Sequence, residues 1–154
     1  MSTTTPRSPA RGARSTELHS NNTSARLIDQ HLLTRRLTVA LSLAVVAAIH
    51  ILDLPGKFAE TPYLAIAYIG LIIASAVIIE RVLVVGTRLD FLAAAALSAF
   101  VIVGFIINRT VGMPMATGDI GNWLEPLGLL SLVVEGFVIW QALVAVALHR
   151  RSGR

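Results

Sequence analysis

The sequence contains no cysteine. Disulfide bonds, thiol redox chemistry, iron–sulfur clusters and cysteine-ligated zinc sites are therefore excluded. Charged residues are scarce as well, at 14% of the 154 residues, whereas soluble domains carry about 25%. This deficit, with basic residues crowded at both ends and apolar runs between them, is typical of a membrane protein with one domain.

Motifs that accompany common catalytic chemistry are also missing. The sequence has no glycine-rich phosphate loop and no GxSxG nucleophile elbow. A bis-histidine haem would need two histidines at one depth. His50 falls near one predicted membrane face, and His31 and His149, which could approach each other near the other face, both lie in basic, solvated settings. The sequence therefore favours a non-enzymatic protein without a cofactor, and it identifies no catalytic residue.

Four long apolar runs predict an all-α membrane protein, a bundle of four transmembrane helices. Each run approaches the roughly 20 residues that a helix needs to cross a bilayer core of about 30 Å. A helix is favoured there because it satisfies its own backbone hydrogen bonds in lipid. The predicted spans are residues 37–54, 63–85, 91–107 and 126–148.

The segments that flank the spans are polar. Residues 1–25 have almost no large apolar side chains, which predicts a disordered cytoplasmic tail. Leucine and isoleucine recur at helical spacing across residues 26–36, which predicts an interfacial amphipathic segment. Residues 149–154 form a basic cytoplasmic tail. Because a long polar segment precedes the first run, we expect a signal-anchor rather than a cleaved signal peptide.

The basic residues predict the orientation of the bundle. Of the 13 lysines and arginines, 11 fall on one side of the predicted spans, and only Lys57 and Arg109 fall on the other. The positive-inside rule predicts that both termini lie in the cytoplasm of a bacterial cell, with the protein in its plasma or inner membrane. Anionic lipid, rather than nucleic acid, is the expected partner of the basic face.

The first outer segment carries a candidate metal or proton-transfer site. His50 and Asp53 are three residues apart and share a helix face, and Glu60 follows in the predicted loop 53–61. The three are weak candidates for metal ligands. The alternative is an interfacial histidine that is hydrogen-bonded to a loop carbonyl, because a polar group at this depth needs a partner.

The second outer segment holds a polar cluster. Arg109 ends the third span, and we expect it to pair with Asp119, Glu125 or Glu60 as a structural clamp rather than to bind an anion. Asn122 and Glu125 are three residues apart before an apolar run, which predicts a capping box for the fourth helix.

Glu135 lies near the middle of the fourth predicted span. A carboxylate that faces lipid at this depth is unfavourable, so we expect Glu135 to face the bundle interior or a partner chain. Two interpretations stay open. Glu135 either handles protons or cations, or is a protonated acid that is hydrogen-bonded to a neighbouring helix at Tyr68, Ser75 or Ser98.

The outer segments Ala48–Tyr63, Asn108–Gly112 and Gly121–Gly128 resemble those of a group of small, uncharacterised four-helix membrane proteins of bacteria. The resemblance spans residues 37–148. It implies the four-helix architecture and directs attention to the outer-face polar residues, but it implies no activity and no catalytic residue.

Three functions remain open from the sequence. The first is a non-enzymatic accessory or structural membrane component that contacts another membrane protein or a second copy of itself. The second is a small proton- or cation-handling transporter that uses Glu135. The third is a metal- or cofactor-binding protein whose site at the outer face includes His50.

Overall fold

The computed structural model describes the backbone of residues 9–152 and the side chains of residues 26, 27 and 29–150. Across these residues the regular structure is entirely helical and contains no strand, which confirms the predicted all-α class. The helices are α1 (Pro9–Glu60), α2 (Pro62–Val84), α3 (Arg88–Thr110) and α4 (Pro126–Ser152), with one turn of 3-10 helix at Thr117–Asp119.

Each of these four helices contains a segment that is long and apolar enough to cross a membrane. Both α2 and α3 have 23 residues, which corresponds to roughly 35 Å of helix at 1.5 Å per residue. The predicted spans 63–85, 91–107 and 126–148 coincide with α2, α3 and α4 to within a few residues at each end.

Helix α1 is longer than the sequence predicts. Its 52 residues run without interruption from Pro9 through residues 10–25 of the predicted tail and through the predicted interfacial segment 26–36. Proline is well suited to the first helical position, which Pro9 occupies. The Ser, Thr and Asn residues that follow each cost well under about 1 kcal/mol in a helix. Residues 1–8 lie outside the described residues.

The predicted outer loop 53–61 is also helical. Helix α1 continues through Pro55 to Glu60, and Thr61 alone separates it from α2. Proline removes one helical hydrogen bond but keeps a helical φ. Thr61 closes the turn by donating its backbone N–H to the Lys57 carbonyl at 2.8 Å and accepting from the Leu64 N–H at 2.9 Å. Helices α1 and α2 therefore form a tight antiparallel hairpin.

We call the end of the bundle that holds this turn and residues 111–125 the loop end, and the opposite end the terminal end. At the terminal end, α2 and α3 are joined by a turn in which Gly86 has a φ of +65°, a left-handed conformation that favours glycine. Thr87 and Asp90 then form a capping box at the start of α3. Asp90 also pairs with Arg81 at 2.6 Å, an interaction that the sequence analysis did not predict.

Arginines at the terminal end hydrogen-bond the last carbonyls of neighbouring helices. Arg36 donates to the Val85 carbonyl at 2.6 Å, and Arg88 donates to the His149 carbonyl at 2.7 Å. Cationic side chains are favourable at helix C-termini, where carbonyl groups lack helical donors. Helix α4 continues past the predicted span to Ser152, so the predicted tail 149–154 is helical as far as the structure describes it.

The apolar core lies in the terminal half of the bundle. All four helices contribute to it, and its largest buried side chains include Leu43, Val82, Phe91 and Val138. Helix α1 packs against α2 and α4, and α3 packs against α4; of the neighbouring helix pairs, α2 and α3 contact each other least. Because the core fills one half and two helices are spread apart, the loop half is left with a cavity.

Candidate functional site

A cavity of about 220 Å³ occupies the loop half of the bundle, and all four helices line it. Its polar lining lies toward the loop end and its apolar lining lies deeper. The floor is formed by Leu71, Val101 and Leu132. The polar side chains are His50, Asp53 and Lys57 from α1, Tyr68 from α2, Asn108 and Arg109 from α3, and Glu125 and Ser131 next to and within α4.

Small residues on α3 and α4 shape this cavity. Gly104 lines it, and a Cβ added there would meet no other atom within 4 Å. Gly128 is more constrained, because a Cβ there would lie 2.5 Å from Phe105 and 2.8 Å from the Glu125 carboxylate. Glycine at position 128 therefore allows Phe105 and Glu125 to approach the α4 backbone closely.

Arg109 is the centre of an ion cluster at the mouth of the cavity. Its guanidinium pairs with Asp119 at 3.0 Å and with Glu125 at 2.8 Å, while only 5% of the side chain is exposed. It also lies 5.0 Å from the centre of the Phe105 ring, in cation–π contact. The structural clamp expected for Arg109 is present, and it joins the end of α3 to the start of α4.

Asp119 links this cluster to the α1–α2 hairpin. Lys57 lies 3.8 Å from one carboxylate oxygen, and the Asn108 side chain donates to the same oxygen at 2.8 Å. Partial burial opposes the charged form of Asp119. The hydrogen bond from Asn108 and the charges of Lys57 and Arg109 outweigh it, so the pKa of Asp119 is held below its ordinary value. The carboxylate is therefore a stable anion that ties two parts of the loop end together.

A second set of contacts surrounds His50. The His50 Nδ1 lies 2.8 Å from the Val46 carbonyl, one turn earlier in α1. A carbonyl can only accept, so Nδ1 carries the proton in this bond, and the neutral ring leaves Nε2 as an acceptor. The ring packs edge-on against Tyr68 with centroids 4.7 Å apart, and the Tyr68 hydroxyl donates to Asp53 at 3.2 Å. His50 thus bonds a carbonyl of its own helix, not the expected loop carbonyl.

The candidate metal ligands do not assemble into a metal site. His50 and Asp53 line the cavity, but Glu60 is exposed and is not part of its lining. Among the residues that the structure describes, no group of three or more histidine or acidic side chains could hold a metal ion. His50 and Asp53 are instead residues of the cavity wall.

Asn122 was predicted to cap the fourth helix, but it does not. Helix α4 begins at Pro126, and the Glu125 carbonyl accepts its first hydrogen bond, from the Leu129 N–H at 3.0 Å. Asn122 is therefore too far from the helix start and contacts the cluster only through its backbone N–H, which donates to the Asp119 carbonyl at 3.1 Å. The Glu125 side chain binds Arg109 instead of completing a capping box.

Glu135 faces the interior of the bundle, as predicted, and is 0% exposed. Neither carboxyl oxygen has a hydrogen-bond partner among the described residues. Ser98 is the polar side chain that approaches it, although its hydroxyl also completes no hydrogen bond in the described part of the chain. Ser131, one helical turn toward the loop end, lines the cavity, whereas Glu135 does not. Glu135 is therefore buried next to the cavity without being part of its lining.

The sequence analysis missed the pairing of Tyr68 with Asp53. Asp53 lies eight residues before Thr61, and Tyr68 lies seven residues after it. A tight hairpin at Thr61 therefore places the two residues at the same height along the bundle. The signal was present in the Thr61-Pro62 helix start, but the segment before it was assigned to a loop. The pairing of the buried Asp90 with the exposed Arg81 was missed as well, although Thr87 to Asp90 has capping-box spacing.

The fold and the site define a class: an all-helical protein with four helices of membrane-spanning length and an amphipathic cavity in one half of the bundle. Comparisons with protein-family models, curated proteins and solved structures give no match for this chain. No residue role is therefore transferred from another protein, and the resemblance noted above stays a prediction.

Proposed function

We propose that the chain is a multi-pass protein of the bacterial plasma or inner membrane that crosses the bilayer four times, with both termini in the cytoplasm. The length and apolar character of the four helices support insertion. The distribution of charge supports the orientation, because 11 of the 13 basic residues fall on the side of the termini and of the α2–α3 turn. Anionic lipid would then meet the basic terminal end.

The absence of cysteine makes this topology directly testable. Single-cysteine variants at Thr117, which is exposed at the loop end, and at Gln30, which is exposed at the terminal end, supply one reporter on each side. In intact cells, a membrane-impermeant maleimide should label Thr117→Cys and leave Gln30→Cys unlabelled until the membrane is permeabilised. Labelling of Gln30→Cys in intact cells, with Thr117→Cys protected, would reverse the proposed orientation.

We further propose that the protein is a non-enzymatic accessory component of the membrane that binds an amphiphilic small molecule in its loop-end cavity. The cavity itself carries this proposal, because its apolar floor and polar mouth match a ligand with an apolar body and a polar head. The titratable side chains of the mouth are engaged with one another or with the backbone, as Arg109 and Tyr68 show. Such engagement favours binding over catalysis.

The ligand would enter sideways from the outer leaflet. Of the neighbouring helix pairs, α2 and α3 contact each other least, and the loop-end halves of both line the cavity. Phe100 lines the cavity although 75% of it is exposed, and Ala67 on α2 is likewise both exposed and part of the lining. The opening therefore faces the side of the bundle, where a membrane-dissolved amphiphile would be found.

A cavity-filling substitution tests this binding function. Gly104→Leu should occupy the cavity without a clash at Cβ, and the change from glycine favours the helix. Gly70→Leu is the matched control, because Gly70 is an exposed helical glycine with the same freedom around Cβ and does not line the cavity. Saturable binding of phenylbutanol or of its charged phenylbutyl analogues would be measured by equilibrium dialysis in phosphatidylcholine nanodiscs.

We expect at least one phenylbutyl probe to bind the unsubstituted protein and Gly70→Leu equally, and to lose saturable binding to Gly104→Leu. If no probe of the series binds saturably to the unsubstituted protein, the cavity is not a binding site for small amphiphiles. Binding that persists unchanged in Gly104→Leu would place the site elsewhere. Both of these results overturn the proposal.

Proton handling by Glu135 is the second candidate function. The observation that favours it is a fully buried carboxyl group with no partner among the described residues, since buried acids in membrane helices are often functional. The position of Glu135 outside the cavity lining weighs against it. Glu135→Gln should preserve folding and should abolish proton flux into proteoliposomes only if this candidate is correct. Glu135→Lys should fail to fold under either function, because a buried cation there has no partner.

A further inference from the structure

We propose that the ligand of the loop-end cavity is a protonated lipophilic amine, whose ammonium group donates hydrogen bonds to the Asp53 carboxylate and to His50 Nε2. This inference rests on the binding function proposed above and specifies the chemical class of the ligand. Three independent features of the cavity support it: its charge balance, the free acceptor on a buried histidine, and the aromatic wall.

The charge balance of the cavity mouth leaves one acid without an ion pair. Lys57 and Arg109 are matched by Asp119 and Glu125, through contacts of 2.8 to 3.8 Å. Asp53 also lines the cavity, but its recorded contact is the neutral Tyr68 hydroxyl, and none of the described basic side chains forms an ion pair with it. Counting Asp119, which pairs with Lys57 and Arg109 although it does not line the cavity, the mouth carries one excess negative charge beside an apolar floor, an arrangement that a cation would stabilise.

His50 supplies the second acceptor. It is 6% exposed, it lines the cavity, and its Nδ1 is already occupied by the Val46 carbonyl. That bond fixes the tautomer in which Nε2 accepts, and no described protein group donates to Nε2. His50 and Asp53 lie three residues apart on one face of α1. A ligand that carries several N–H donors and a positive charge satisfies both acceptors at once.

The walls suit the apolar part of such a ligand. Tyr68 and Phe100 present aromatic surface to the cavity, and the floor is aliphatic. Aromatic faces attract cations, so the same walls favour an ammonium head over a neutral one. An anionic head is disfavoured, because Arg109 already binds two carboxylates and an added anion would meet the unpaired Asp53.

Four probes that share one apolar body separate charge from hydrogen bonding: phenylbutylamine, phenylbutyltrimethylammonium, phenylbutanol and phenylbutyrate. In phosphatidylcholine nanodiscs at neutral pH, we expect the amine to bind about tenfold or more tightly than the alcohol, since hydrogen bonds to charged groups are worth about 1.5–3 kcal/mol. The trimethylammonium probe, which has the charge without N–H donors, should fall between them. Phenylbutyrate should bind most weakly.

Substitutions assign the contacts. Asp53→Asn should weaken the amine about tenfold and should weaken phenylbutanol by much less, because the alcohol carries no charge. Glu60→Gln, the same loss of one charge on an exposed residue of the same helix, should alter neither. His50→Phe keeps a ring against Tyr68 and removes one of the two acceptors, so it should reduce the preference for the amine over its trimethyl analogue.

Ammonium groups also occur in phosphatidylethanolamine, and the same assay identifies the source. If the lipid headgroup is the occupant, adding phosphatidylethanolamine to the nanodiscs should compete with phenylbutylamine. If a soluble amine is the occupant, the added lipid should have no effect. Phenylbutanol or phenylbutyrate binding as tightly as the amine to the unsubstituted protein would overturn the cation inference while leaving the binding function intact. If Asp53→Asn binds the amine as tightly as the unsubstituted protein does, the cation inference is overturned as well.

Discussion

The substitution Arg109→Met tests what holds the loop end together. It removes the guanidinium that pairs with Asp119 at 3.0 Å and with Glu125 at 2.8 Å, while methionine keeps much of the buried apolar stem. The loss is of charge and hydrogen bonding rather than of volume. Both carboxylates would then remain in a partly buried position, and only Asp119 would keep other polar partners, Lys57 and Asn108.

The size of the expected loss in the free energy of unfolding depends on how exposed the two carboxylate partners of Arg109 are. Removing one member of a buried ion pair costs about 3–5 kcal/mol, because the remaining charge is left without its partner. Asp119 and Glu125 are 23% and 32% exposed, so water partly compensates them. We therefore expect the free energy of unfolding to fall by about 3 kcal/mol, at the lower end of that range.

Lys57→Met is the comparison within the same cluster. Lys57 contacts Asp119 at 3.8 Å, a longer distance than either pair of Arg109. Its removal leaves Asp119 bound to Arg109 and Asn108, so we expect a cost of about 1 kcal/mol or less. The double variant Arg109→Met/Glu125→Gln should cost less than the sum of the two single variants, since it also removes one stranded charge.

Unfolding of the detergent-solubilised protein by sodium dodecyl sulfate, followed by helicity and by tryptophan fluorescence, measures these differences. Trp123 packs edge-on against Phe105 with centroids 6.1 Å apart, which places one reporter beside the cluster. If Arg109→Met costs no more than Lys57→Met, the ion cluster does not stabilise the loop end and the reasoning is wrong. Additive costs in the double variant would refute the direct coupling of Arg109 with Glu125.

Three further predictions concern single positions. Thr87→Ala should lower the free energy of unfolding by about 1 kcal/mol, because it removes the hydroxyl of the capping box at α3; chemical denaturation measures this. Gly128→Ala should cost about 1–3 kcal/mol in the same assay, since its Cβ would press on Phe105. Asp119 has a depressed pKa, so its ionised form contributes stability above its ordinary value of 3.8, and this contribution is lost as the pH falls through the lower folded value. The stability difference between the unsubstituted protein and Asp119→Asn should therefore be constant near neutrality and should shrink below pH 3.8, a trend that pH-dependent unfolding would show.

The helices were predictable from the sequence because membrane-spanning helices need long apolar runs. Their ends were less predictable, because hydropathy indicates which residues leave the apolar phase and not where the backbone stops being helical. For this reason, hydropathy did not indicate that the polar residues 9–36 and the proline-containing segment 53–60 are helical. At Gly86 and Thr87, by contrast, the backbone chemistry of the turn itself marks the boundary.

The charged half of the site was more predictable than its cavity. Arg109 was expected to find a carboxylate because a lone cation among acids pairs with one, and the i to i+3 spacing placed His50 beside Asp53. The cavity depends on how far α2 and α3 stand apart and on the small residues Gly104 and Gly128. Helix separation is a tertiary property, so no local pattern in the sequence indicates it.

The two halves of the bundle are stabilised by different interactions, and this difference connects stability to binding. The terminal half has an apolar core, whereas the loop half has a cavity where a core would be and relies on the Arg109 cluster to close it. A ligand that fills the cavity replaces the missing apolar contacts. Because it binds the folded state, it stabilises the protein in proportion to the logarithm of its concentration above the dissociation constant. Bound phenylbutylamine should therefore raise the free energy of unfolding of Thr87→Ala as much as that of the unsubstituted protein, because Thr87 lies at the opposite end of α3 from the cavity and its substitution leaves the site intact.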